Sequence, residues 1–184
     1  MTQEPGMTGS DESLMAAVSS GNLEAFSRLM ERHQGAVWRA AWRFTGNPED
    51  ARDICQTVFL KLYEAGSRYT PSASFKTYLF RITNNTCIDH YRKKRHDEVK
   101  NLTKTTEIAS SPEEKFDKQE RGRRLRHTIT RLPERQRRAV ALRYEADLSI
   151  KEIASIMGIT QKAVERLLAR ARETLREGIQ EEMG

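Results

Sequence analysis

The chain has 184 residues, of which 37% are hydrophobic, 32% charged and 7% aromatic, and it carries a formal net charge of +6. That composition suits small helical units with wide solvated faces, and no run approaches the roughly 18 consecutive apolar residues that a membrane-spanning helix needs. Cys55 and Cys87 show neither zinc-ligand spacing nor a disulfide framework, and the first twenty residues lack the basic start and apolar run of a secretory signal, so the expected compartment is the cytoplasm.

Residues 1–11 read as a disordered N-terminus, with the first helix opening over residues 10–14. A second apolar repeat runs through Ala25, Phe26, Leu29, Met30, Val37, Ala41 and Phe44. "GNPEDARD" then restarts the chain, with Asn47 placed to cap a helix and Pro48 at its first position. In that helix Ala51, Ile54, Cys55, Val58, Phe59, Leu62 and Tyr63 recur at steps of three and four, so one stripe is expected to face a core. The other side gathers Glu49, Asp53, Gln56 and an outward Leu60. An apolar side chain ringed by polar groups suits a protein partner, although a solvated face with one stray leucine explains it too.

After Gly66 and the loop "SRYTPSAS" (67–74) comes a long helical segment, "FKTYLFRITNNTCIDHYRKKRH". It is apolar on two sides. Phe75, Tyr78, Leu79 and Ile82 fall together, while Phe80, Asn84, Cys87 and Tyr91 lie nearly opposite, flanked by Arg81, Arg92 and Arg95. Aromatics, an amide and cations on one face can receive an unstacked base and its backbone. A helix buried between two neighbours explains the same pattern. Residues 97–118 are polar and without periodicity, which reads as a flexible linker.

From 119 onward the pattern is helical again. The two halves also differ in charge: residues 1–90 hold 9 basic and 10 acidic side chains, residues 91–184 hold 23 and 16. Such asymmetry hints at nucleic-acid contact. The sharper signal is "SIKEIASIMGITQKAVERLLARARETL" (149–175). Ser149 and Glu152 form a capping box, Gly158 permits a left-handed stop, and Thr160 can cap the helix that follows. In that second helix Val164, Leu167, Leu168, Ala171 and Leu175 share one face, opposite Lys162, Glu165, Arg166, Ala169 and Arg170. This is a helix-turn-helix pattern, whose second helix enters the major groove. The plainer alternative is a helical hairpin whose charged face meets only water. On the DNA reading, Gln161, Lys162, Glu165, Arg166 and Arg170 are the candidates for bases and nearby phosphates, and Arg135, Arg137, Arg138 and Arg143 for positioning phosphate contacts. No P-loop, paired catalytic carboxylates or Cys-His signature is present, and His33, His90, His96 and His127 are scattered. Neither an enzyme nor a bound metal or cofactor is expected.

Three stretches resemble the extracytoplasmic-function group of sigma-70 family transcription initiation factors: "EDARDICQTVFLKLYE" (49–64), "FKTYLFRITNNTCIDHYRKKR" (75–95) and "LPERQRRAVALRYEADLSIKEIASIMGITQKAVERLLARARETLR" (132–176). They stand in that family's order and spacing. The resemblance implies an all-α protein of two small helical domains joined by a flexible linker: a region 2-like domain over 12–96, and a region 4-like helix-turn-helix domain over 119–184. It implies that Asp53, Gln56 and Leu60 meet core RNA polymerase, with the clamp helices and the flap of the large subunits as docking points. It places promoter -10 recognition and melting on Tyr78, Phe80, Arg81, Asn84, Tyr91, Arg92 and Arg95, with Asn84 and the 67–74 loop near the flipped base. Recognition of the -35 element falls to the helix-turn-helix. Members of the group are often held inactive by an anti-sigma factor, frequently membrane-anchored, so such a partner is implied as well; a small-molecule substrate is not. Tyr78 stands where the family often has tryptophan, Leu167 where arginine is frequent, and Pro71 and serines where the loop usually has glycine and charge. The family's promoter sequence therefore does not transfer. Two rivals share parts of the pattern: a DNA-binding regulator independent of polymerase, and a mimic that occupies a sigma inhibitor without reading DNA.

Overall fold

The computed structural model describes residues 9–66, 69, 73–100, 128–129 and 131–181. Of the N-terminus expected to be disordered over 1–11, residues 1–8 lie outside the described residues, as do most of the 67–74 loop with Pro71, the linker from 101 and the start of the second helical unit with His127; residues 9–11 are ordered, with Ser10 capping the first helix and Asp11 opening it. Every regular element among the described residues is a helix.

Four helices build the first lobe, and each begins where the sequence supplies a hydrogen-bond acceptor. Helix α1 (Asp11–Ser19) follows Ser10, whose hydroxyl accepts from the Ser13 N–H at 3.2 Å. Helix α2 (Leu23–Thr45) follows Asn22, whose side-chain oxygen accepts from the Ala25 N–H. Helix α3 (Pro48–Glu64) follows Asn47, which accepts from both Glu49 and Asp50 N–H groups, with Pro48 in the first turn as expected. Helix α4 (Phe75–Lys100) follows Ser74, whose hydroxyl accepts from Thr77 N–H at 3.2 Å. Glu12 of α1 reaches the same terminus and accepts from Phe75 N–H at 3.0 Å. These acceptors occupy N–H groups that a helix leaves unpaired, and a lost cap typically costs ~1 kcal/mol. Helix α4 runs on to Lys100, past the boundary after His96 where the linker was expected to begin.

The second lobe holds α5 (Glu134–Tyr144), α6 (Ile150–Met157) and α7 (Gln161–Glu181). Helix α7 packs across α5 and α6. Val164, Leu168 and Ala171 are buried there against a core that includes Ile153, Ala154 and Leu142.

The lobes are not separated in space. Helix α5 packs on α2, and α6 packs on α4, so the buried side chains of both lobes form one continuous cluster. This resolves the two-sided pattern of α4. Phe75 and Leu79 fill the first lobe's core, while Asn84 and Cys87 on the other side are buried as well. Helix α4 is thus the helix between two neighbours.

Candidate nucleic-acid interface

Local chemistry fixes the helix-turn-helix. The Ser149 hydroxyl accepts from Glu152 N–H, and the Glu152 carboxylate accepts in return from Ser149 N–H at 2.9 Å, a complete capping box. Gly158 closes α6 at φ 65°, a left-handed conformation that side chains with a Cβ adopt at a cost. Thr160 then opens α7, its hydroxyl accepting from Ala163 N–H at 3.2 Å. With both ends fixed, Gln161, Lys162, Glu165, Arg166 and Arg170 all stand exposed. The first turn of α7 carries no acidic residue, so its N-terminal partial positive charge is uncompensated and favours an anionic partner.

The four arginines of α5 separate. Arg135 is exposed and free to reach a phosphate. Arg143 donates through Nη1 to the Leu148 carbonyl at 2.8 Å, holding the turn that leads into α6. Arg138 donates through Nε to Asn84 Oδ1 at 2.9 Å, and Arg137 is half-buried beside it. Burial pushes both guanidinium pKa values down, yet arginine stays charged near neutrality. For Arg138 and Arg143 the expectation of phosphate-facing side chains is corrected, because intramolecular hydrogen bonds hold them; the buried Nε of Arg137 has no hydrogen-bond partner among the described residues.

The expected melting face of α4 divides as well. Phe80 has no exposed surface and Asn84 only 5%, so neither presents itself to a base here. The aromatic ring expected to face outward on Phe80 is a core side chain instead, because α6 and α5 cover that side of α4. Arg81 is partly exposed and donates to the Ser155 hydroxyl of α6 at 3.2 Å. Tyr78 meets Tyr69 edge-on, with ring centroids 5.1 Å apart. Tyr91, Arg92 and Arg95 are exposed toward the end of the helix.

A third surface lies on α2 and α3. Leu23, Phe26, Met30 and Gln34 of α2 face Cys55, Gln56, Phe59, Leu60 and Tyr63 of α3 across an open groove of about 600 Å³. Phe26 sits edge-on to Tyr63 at 5.2 Å and to Phe59 at 6.4 Å, which stiffens the floor. Leu23 and Leu60 form the rim at 62% and 58% exposure. Asp53 and Gln56, also exposed, stand on the same outward side of α3 as Leu60. Sequence periodicity assigned Phe26, Met30, Cys55 and Tyr63 to the core stripe. Phe26, Met30 and Cys55 do pack against that core while also lining the groove, whereas Tyr63 is exposed on it; periodicity alone could not separate the two, since both demand apolar side chains at helical spacing. Leu23 precedes Phe26 and Met30 at helical spacing on the same face, yet it is exposed at the rim, which spacing does not reveal. The Cys55 thiol in this wall is pushed up by burial, so thiolate chemistry is disfavoured. Among the described residues no group of histidine, cysteine or acidic side chains is arranged to hold a metal ion, and no helix is long and apolar enough to cross a membrane.

A helix-turn-helix with a free basic face, joined to a four-helix lobe with an exposed apolar groove, is the architecture of a helical DNA-binding protein with a second, apolar surface suited to a protein partner. Comparison with known proteins is specific. The family model described as Sigma-70 region 2 matches residues 29–96, and the one described as Sigma-70, region 4 matches residues 122–175. The RNA polymerase sigma factor CnrH of Cupriavidus metallidurans is 31% identical over 176 residues, covering 90% of this chain and 92% of that protein. The ECF RNA polymerase sigma factor SigW of Bacillus subtilis is 29% identical over 175 residues, covering 89% and 94%. The structure of CnrH in complex with the cytosolic domain of CnrY superposes with a TM-score of 0.69 at 28% identity, over 92% of this chain and 97% of that one. The sigma factor RpoE of Bartonella quintana, solved with the anti-sigma factor NepR, shares the fold with a TM-score of 0.71 at 21% identity, over 84% and 96%. The chain belongs to the sigma-70 family of RNA polymerase sigma factors, in its extracytoplasmic-function group.

Proposed function

We propose that the protein binds core RNA polymerase through the α2–α3 groove, reads a -35 element with α7 and opens DNA at -10 along α4, so directing transcription from a particular set of promoters. The observation that carries this reading is the pairing, in one chain of this family, of an unobstructed basic recognition helix with a rigid, exposed apolar groove. A partner's apolar side chain entering between Leu23 and Leu60 would be ringed by Gln34, Gln56 and Asp53, the arrangement of an apolar centre within a polar rim. Gln161, Lys162, Glu165 and Arg166, in the first two turns of α7, are the residues a major groove admits, with Arg170 and Arg135 on flanking phosphates.

Tyr78, Arg81, Asn84, Tyr91, Arg92 and Arg95 remain the residues proposed for the -10 strand, with Phe80 supporting them from the core. Two modest contacts joined in one chain gain from effective concentration, so isolated DNA binding is expected to be weak. The protein works as an initiation factor without catalytic groups of its own, in the cytoplasm. An anti-sigma factor is its proposed regulatory partner, supported by the NepR complex of the structural neighbour. Co-purification tests the reading. The full chain at micromolar concentration should co-elute with core polymerase on size exclusion, and failure to form that complex would end the proposal.

A further inference from the structure

Both ends of the connection from α3 to α4 stand on α1. At the entry, Gly66 lies so close to Val18 that a Cβ on it would meet Val18 Cγ1 at 3.1 Å. At the exit, Glu12 Oε1 accepts from the Phe75 N–H, the first of α4, at 3.0 Å. The N–H groups at a helix start are usually satisfied by an acceptor a few residues away, as Ser74 does for Thr77 N–H. This second acceptor comes from 63 residues earlier in the chain, and its negative charge suits the positive end of α4. Glu12 and Val18 are separated along α1 by about 9 Å at 1.5 Å per residue, so one short helix fixes the spacing of the two ends.

Helix α1 is itself fixed. Asp11 Oδ1 accepts from Arg32 Nη1 of α2 at 3.0 Å, and Asp11 Oδ2 lies 2.8 Å from His33 Nε2. Arg32 Nη1 also donates to the Gly9 carbonyl at 2.8 Å. The His33 ring in turn lies against Phe75, with centroids 5.3 Å apart. Leu14, Met15 and Val18 are buried along the same helix, whereas Glu12 is exposed, so a change at Glu12 alters the cap and spares the core. Two tyrosines depend on these ends. Tyr69 N–H donates to the Gly66 carbonyl at 3.2 Å, and Tyr78, which meets the Tyr69 ring edge-on, lies one turn beyond the capped Phe75. Burial, and after it the charges of Glu12 and Tyr78, push the Tyr69 phenol up, which places the Glu12 carboxylate near this pair.

We infer that α1 is a splint for the -10 face: Glu12, capping α4 at one end while Val18 supports Gly66 at the other, is a positioning residue that sets Tyr69 and Tyr78 for a promoter base. The inference rests on the proposed function for one point, that Tyr78 meets the -10 strand. Helix α1 lies ahead of residues 29–96, which match the region 2 model. Neither Glu12 nor Val18 belongs to the α2–α3 groove or to α7, so polymerase docking and -35 reading do not run through the splint.

Hydrogen–deuterium exchange on the full chain tests the splint, and start-site sequencing with core polymerase on genomic fragments tests its role. Glu12→Ala should speed exchange of the Phe75 amide at least fivefold and leave α5, α6 and α7 unchanged. Glu12→Gln keeps an acceptor oxygen without the charge and should exchange at an intermediate rate. In the sequencing, Glu12→Ala should lower the base preference at the most selective -10 position at least threefold, with the -35 preference and the affinity for core polymerase unchanged. Glu12→Gln should again fall between. A cap that only stabilised the fold would weaken both elements together. Unchanged Phe75 exchange, an unchanged -10 preference or equal losses at -10 and -35 would each overturn the inference while wild-type start sites left the proposed function standing. Wild-type protein that directs no start sites of its own would overturn the proposed function, and the positioning role with it.

Discussion

Replacing Leu60 with alanine should separate docking from folding. Leu60 is 58% exposed on the groove rim, and full burial of a leucine side chain contributes ~1.5–3 kcal/mol, so a partner covering the exposed part gains about 1–2 kcal/mol, roughly 5- to 30-fold in affinity. Within the isolated protein the same truncation removes little buried surface, and its cost should stay under ~1 kcal/mol, well short of the 2–5 typical of a buried leucine. The assay is a pair of measurements on one preparation: fluorescence anisotropy titration of the labelled chain with core polymerase, and urea unfolding of the free chain. Expected is a weaker Kd by that factor with a nearly unchanged unfolding midpoint. An unchanged Kd, or a destabilisation of several kcal/mol, would refute the assignment of Leu60 to a docking surface.

Phe80→Ala should behave in the opposite way: the ring is fully buried, so its loss should cost about 3–5 kcal/mol in denaturant unfolding, marking it as core and not as a base-stacking platform. Lys162→Glu/Arg166→Glu, both on the exposed face of α7, should strongly weaken binding to a -35 duplex and transcription from it, leave the thermal midpoint within a few degrees, and reduce the salt slope of the residual binding by about 2. Hydrogen bonds from the Ser149 and Thr77 side chains, then from the Ser149 backbone, hold the Glu152 carboxyl down at about 2 from 4.5. A depressed carboxyl pKa stabilises the fold fully above pH 4.5 and loses that contribution as pH falls toward 2. The stability difference between the wild type and Glu152→Gln in urea titrations should therefore be clear at pH 6 and shrink at pH 2.5.

Local features were the legible part of this sequence. Asn47–Pro48, the Ser149–Glu152 box, Gly158 and Thr160 each specify a helix end through neighbours within four residues, and each does so in the structure. The outward positions of Glu49, Asp53, Gln56 and Leu60, and of Lys162, Glu165, Arg166 and Arg170, followed from a 3.6-residue period and hold. What could not be read was anything joining distant segments. Glu145 meets Arg39 and Arg43 about a hundred residues away, and Arg138 meets Asn84 fifty-four residues away. A charged residue at such separation carries no periodic signal and looks the same whether it faces water, DNA or another helix. For that reason Arg138 read as a phosphate contact. The double-sided pattern of α4 fitted a base-receiving face and a helix buried between two neighbours alike, and the period could not choose between them.

The proposed function turns on whether this chain changes where polymerase starts. Core polymerase should be incubated with genomic DNA fragments, with and without the protein, and the transcript 5′ ends sequenced. The expected result is a set of start sites present only with the protein, preceded by one shared pair of elements near -35 and -10, and lost with Lys162→Glu/Arg166→Glu. Identical start sites in the two reactions would contradict a promoter-directing role.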